Sequence, residues 1–244
     1  MMSGSFRAVV TATAAAGIGV TTFTPRPLFE ITVAAIAVVV ALGWAPLLPH
    51  MGRRLPVTAI LLVVALASAW LVRATHSLAW LAPILAGSLI AIFIAQMFRR
   101  DRTRLVDQVA GHVTGAVIVA SGAGWLAVDP GPAGSALAFT ASVCLAAAAI
   151  ATALPIKARG SVVLAILAAT GAGLGMGQGL EELTLITGGL IGLAAGLVVA
   201  SVHYLFGEYS DSDAALPSLA GALIAVAVSG VPVYILGRVL LHMP

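Results

Sequence analysis

The residues of this chain best suited to chemistry are two histidines set inside apolar stretches and a group of carboxylates at the ends of those stretches. The histidines are His112 and His203; the carboxylates are Asp107, Glu208, Asp211 and Asp213. An ionisable side chain at membrane depth is costly to keep, so each is a functional candidate by default. Imidazole beside several carboxylates suits a divalent cation or a proton relay. The spacing does not favour a metal centre, because no HxxxH, HExxH or DxxxD pair occurs. Neither a metal nor a cofactor is expected. The structural alternative is a pair of interfacial rings hydrogen-bonded between neighbouring helices. Gln108 and Gly115 share a helical face with His112, and Gly192 and Gly196 share one with His203. Both rings should therefore face other helices.

A second chemical group is the basic run Arg99, Arg100, Arg102 and Arg104. It could grip anionic lipid head groups, at about 1 kcal/mol per basic residue near the surface. An orientation signal would look the same. Arg238 follows Tyr234 by one helical turn and is placed to snorkel, with Glu181 or Glu182 as a candidate partner. The single Cys144 lies mid-span and reads as a small packing residue. Nothing resembles a phosphate loop, a nucleophile elbow or a cysteine-ligated centre, so no catalytic residue is assigned.

The elements that must hold these residues are membrane helices. Of the 244 residues 61% are hydrophobic and 9% charged, far below the ~25% charged content of soluble domains. Eight apolar stretches run at about 31–49, 55–72, 78–97, 109–128, 135–154, 161–180, 185–206 and 219–241. Each is long enough for a hydrocarbon core of about 30 Å. Pro46, Pro49 and Gly52 close the first, Asp129-Pro-Gly-Pro follows the fourth, and Pro155 follows the fifth. The predicted fold is all-α: a polytopic transmembrane bundle of eight spans, with 31–244 as one integral membrane domain. Residues 1–30 form an N-terminal segment whose apolar run, 6–24, is either a short ninth span or a surface helix.

Basic residues set the orientation. Arg53, Arg54, the 98–107 connection, Lys157 and Arg159 must share one side, which holds eight of the twelve Lys and Arg. The positive-inside rule makes that side cytoplasmic, in what composition suggests is a bacterial inner membrane. A ninth span would bring Arg7 to the same side. The net charge of +3 is thereby used up as topology rather than as a nucleic-acid surface. The expected partners are the bilayer, its anionic head groups, and a second membrane protein or a second copy.

Small residues mark the packing faces. Gly188, Gly192 and Gly196 make two successive GxxxG steps in the seventh span, and Gly111 and Gly115 one in the fourth. The sixth span has glycine at 171, 173, 175, 177 and 179. Two readings stand: a tightly packed central helix, or a broken span lining a cavity.

Two segments resemble the CDP-diacylglycerol synthases (phosphatidate cytidylyltransferases). FRRDRTRLVDQVAGHVTGAVIV is similar to that family's basic loop and following span. GLVVASVHYLFGEYSDSDAALPSLAGALIAVAVSGVPVYILGRVL is similar to its closing hairpin. The resemblance implies a membrane helical fold, and Mg²⁺-dependent cytidylyl transfer if the family's site is complete. The family's Lys residues, His-Gly-Gly and Asp-Arg pair are absent from the loop that carries Asp211, Asp213, Leu216 and Pro217. What the resemblance then implies is a non-catalytic relative.

Three functions fit this sequence: a non-catalytic lipid-handling or assembly protein, a small-solute permease, and a cytidylyltransferase-like enzyme of phospholipid synthesis. A polar cavity at mid-depth would favour the permease. A pocket joining both histidines to carboxylates would favour the enzyme.

Overall fold

A computed structural model describes residues 4–48, 54–98, 104–206 and 214–241. The described residues are helices and short connections. The helices are α1 (Gly4–Thr21), α2 (Arg26–Leu47), α3 (Arg54–Thr75), α4 (Leu81–Met97), α5 (Leu105–Gly122), α6 (Gly124–Ala127), α7 (Pro132–Thr152), α8 (Ala158–Gly179), α9 (Leu185–Phe206), α10 (Ala215–Val228) and α11 (Gly230–Leu240). With α5 and α6 counted as one element, and α10 and α11 as another, eight are long and apolar enough to cross a membrane. Successive elements run antiparallel. One end of the bundle, the basic end, carries Arg7, Arg104, Lys157 and Arg159. Arg26, Glu30, Arg73 and Asp129 lie at the other.

The N-terminal helix packs into the bundle, against α7, α10 and α2. Ala8 and Thr11 line a small cleft together with the α7 residues Ala149 and Thr152 at the basic end. Gly19 lies against Phe139 and Ser142 toward the other end of α7. Ala15 and Ile18 are buried between these contacts. Helix α1 therefore runs alongside α7.

Two spans are broken, which their hydropathy alone did not reveal. The last element breaks at Ser229, between α10 and α11. Pro232 has no N–H for the Val228 carbonyl four residues back, and its ring crowds that carbonyl. The Ser121 hydroxyl donates to it instead, at 2.9 Å. The Trp125 indole N–H donates to the Val226 carbonyl at 2.9 Å. The α5–α6 element breaks at Ala123, and there Gly124 lies directly against the Gly230 and Val231 backbone. The two broken helices thus cross at their breaks, and no freed carbonyl named here is left without a donor.

The end opposite the basic one is tied by charge. Arg26 donates to the Leu126 carbonyl at 3.0 Å and pairs with Glu30 at 3.6 Å, while Arg73 pairs with Glu30 at 2.8 Å. Helix α2 starts five residues before the predicted span because this network tolerates its polar first turn. It also runs past Pro46 to Leu47. Arg238 bonds to the Tyr234 hydroxyl at 3.1 Å, so its partner is the residue one turn back and not Glu181 or Glu182.

Helix α8 is continuous, so it is not a broken span, and it packs tightly on α9. Gly173 lies against the α9 backbone at Gly188 and Gly192, and Gly177 against Leu185 and Thr184, the residue just before α9. Gly196 fits against Ile166 and Ala169. Yet α8 is peripheral rather than central, with only 28% of its span window buried.

Candidate functional site

Helix α9 has one face committed to α8 through its glycines. The opposite stripe, Leu193, Leu197, Ser201, Tyr204 and Leu205, is exposed. These residues recur every three or four positions, so they form a ridge running toward the basic end. Three clefts lie around this half of α9.

The largest, about 550 Å³, lies between α5, α9 and α10. Thr114 and Ile118 form one wall, Leu197, Ser201 and Leu205 the other, and Ile224 and Val228 line the rest. The second, about 440 Å³, lies between α8 and α9. Val162, Val163 and Ile166 face Leu197, Ala200 and Ser201, and Arg159 and Tyr204 stand at the basic end. Both volumes fall in the range of ligand pockets, about 300–1,000 Å³. Both clefts open sideways, and Leu197 and Ser201 belong to both. Their walls hold hydroxyls and one charged group, Arg159.

The third cleft is smaller, with room of about 40 Å³, the scale of a water or two. His203 lines it with Arg7, Thr11 and Thr152, between α1, α7, α9 and α10. Thr11 donates to the Ala222 carbonyl at 2.6 Å and Thr152 to the Ala149 carbonyl at 2.7 Å.

His112 lies elsewhere. It is fully buried on α5, toward the Ser88 main chain of α4. Neither ring nitrogen has a partner at hydrogen-bonding geometry. One turn away, the buried Gln108 accepts from Gln96 of α4 at 3.2 Å. On the far side, the Trp44 indole donates to the Gly111 carbonyl at 2.9 Å, and Gly115 accommodates that ring. The predicted shared face of Gln108, His112 and Gly115 is real, but it serves two neighbours: Gln108 meets α4, and Gly115 meets α2.

No described cavity is lined by both histidines. Asp107 is exposed in the first turn of α5, where a negative charge suits the helix dipole. Arg104, just before it, is exposed and has a left-handed backbone, φ 54°. Glu208, Asp211, Asp213, Arg99, Arg100 and Arg102 lie outside the described residues. Among the described residues, no three His, Cys, Asp or Glu side chains stand close enough to hold a metal ion.

Sequence reasoning missed Arg159, Leu197, Ser201 and Tyr204 as a group. A usable signal was present: Leu193, Leu197, Ser201 and Leu205 repeat at four-residue steps on the face away from Gly192 and Gly196. No protein-family model, curated protein or solved structure matches this chain.

Proposed function

We propose that this is a multi-pass protein of a bacterial cytoplasmic membrane that handles lipid, binding it laterally in the grooves around α9. The observation that carries the reading is the pair of side-opening, apolar-walled grooves sharing Leu197 and Ser201. Their basic end is the cytoplasmic one by the asymmetry of Lys and Arg. A permease reading asks for polar walls at mid-depth, and these walls are aliphatic. The buried Trp44 indole, which closes a contact between α2 and α5, serves assembly of the bundle rather than chemistry.

Filling the shared wall tests the reading. Leu197→Trp should occupy both grooves at once and leave the glycine seam on the other face of α9 untouched. Phospholipid retained per protein, counted by native mass spectrometry after detergent extraction, should fall at least severalfold. Unchanged retention with an unchanged melting temperature would remove the lipid reading.

The kinship with CDP-diacylglycerol synthases is proposed in its non-catalytic form. Every residue lining the larger groove falls in the two resembling segments, 98–119 and 196–240. The connection at 207–214 carries Glu208, Asp211 and Asp213 and no Lys or Arg. A triphosphate needs metal ions and positioned cations to offset its charge. Purified protein given labelled CTP, Mg²⁺ and phosphatidic acid should form no CDP-diacylglycerol. Turnover abolished by Asp211→Asn would replace this reading with an enzymatic one.

A further inference from the structure

We propose that the two grooves flanking α9 hold the two chains of one anionic diacyl phospholipid, whose head group sits on Arg159 and Tyr204. This rests on the lipid-handling reading above and adds the head-group class. The chains would straddle the ridge of Leu197 and Ser201, the two residues common to both grooves.

The head-group assignment follows from what the apolar walls cannot do. Lipid tails are as apolar as leucine, so moving a chain from bilayer to groove yields shape matching and little hydrophobic gain. Preference among lipids must therefore come from the polar end. Arg159 lines that end of the α8/α9 groove. Among the described residues no carboxylate pairs with it. It sits in the first turn of α8, where the helix dipole already disfavours a cation and favours an anion. Lys157 lies two residues before it. A guanidinium matches phosphate oxygens with two parallel N–H donors. Tyr204 is exposed and lines the same groove as Arg159. Ser201 lies about 4.5 Å deeper along α9, at 1.5 Å per residue, which suits the ester linkages below a phosphate. Arg159, Val162, Val163 and Ile166 are outside the segments that resemble the cytidylyltransferases, so this end of the site owes nothing to that likeness.

The test compares chain-matched phosphatidylglycerol and phosphatidylethanolamine, offered in equal amounts in mixed micelles, by native mass spectrometry. Wild-type protein should retain phosphatidylglycerol about fivefold over phosphatidylethanolamine, the equivalent of about 1 kcal/mol for one interfacial cation. Arg159→Gln should abolish the preference while total retention stays near wild type. Arg159→Lys should keep most of it, which separates charge from misfolding. Leu197→Trp should lower retention of both lipids together. A preference that survives Arg159→Gln, or equal retention of the two lipids by wild type, overturns the head-group assignment and leaves the lipid reading standing. Retention of neither lipid by wild type overturns both.

Discussion

Helix α8 carries two lines of glycine, and they have opposite fates. Gly173 and Gly177 lie against the α9 main chain, so close that a Cβ on either would strike backbone atoms of Gly188 or Thr184. Gly171, Gly175 and Gly179 face open space, with nothing within 4 Å of an added Cβ. The two lines share a helix and a four-residue step, and they differ only in a two-residue offset, about 200° around the axis. In lipid a GxxxG step permits close approach but does not by itself supply energy. The energy comes when a second backbone occupies the space, as α9 does with Gly188, Gly192 and Gly196.

The sharpest way to break this contrast is from the α9 side. A Cβ at Gly192 would meet the main chain at Ala169 and Thr170, and neither helix can yield locally. Gly192→Leu should lower stability in detergent by about 1–3 kcal/mol or more, the usual cost of overpacking, read as a drop in melting temperature. Leu190→Ala, next to that face but 40% exposed, should cost clearly less. Gly173→Ala adds a single methyl against the Gly188 carbonyl and should fall between the two. Equal tolerance at 190 and 192 would mean that the α8/α9 contact contributes little to the fold.

The same contrast shows how far the sequence could be read. The span positions were legible because hydropathy and turn residues mark them. The Gly188–Gly196 stripe was legible because its spacing names one face. What could not be read was which partner each face would meet. The glycines of α8 alternate, and only the position of α9 divides them into a packed line and an open one. Pro232 announces a break, but that Ser121 would bond the orphaned Val228 carbonyl depends on two spans crossing. His112 and His203 both lie near the basic end by sequence, yet they pack into different sets of helices. The N-terminal run at 6–24 is weakly apolar, and what draws it into the bundle is packing that hydropathy does not register: Ala8 and Ala15 are buried, and Gly19 fits against Phe139 and Ser142 of α7. The grooves were least legible, since a groove is where two helices fail to meet, and residues such as Leu197 and Val163 look like any lipid-facing side chain.

The smallest effect is expected on the open line, and it sharpens the contrast from the other direction. Gly175 has no neighbour to strike, so Gly175→Ala removes only the helix penalty of glycine, up to about 1 kcal/mol in an exposed helix. In detergent the gain should be smaller still, because a membrane helix stays helical when the bundle comes apart. The melting temperature should therefore rise slightly or stay level. Gly175→Leu should be tolerated too, in contrast to Gly192→Leu. A large loss on Gly175→Leu, measured in native membranes, would mean that another backbone stands against this line in the bilayer. Gly175→Cys then identifies it: disulfide-linked dimers on mild oxidation point to a second copy, and their absence to a different membrane protein. Cys144 does not confuse the result, because it is fully buried in the core.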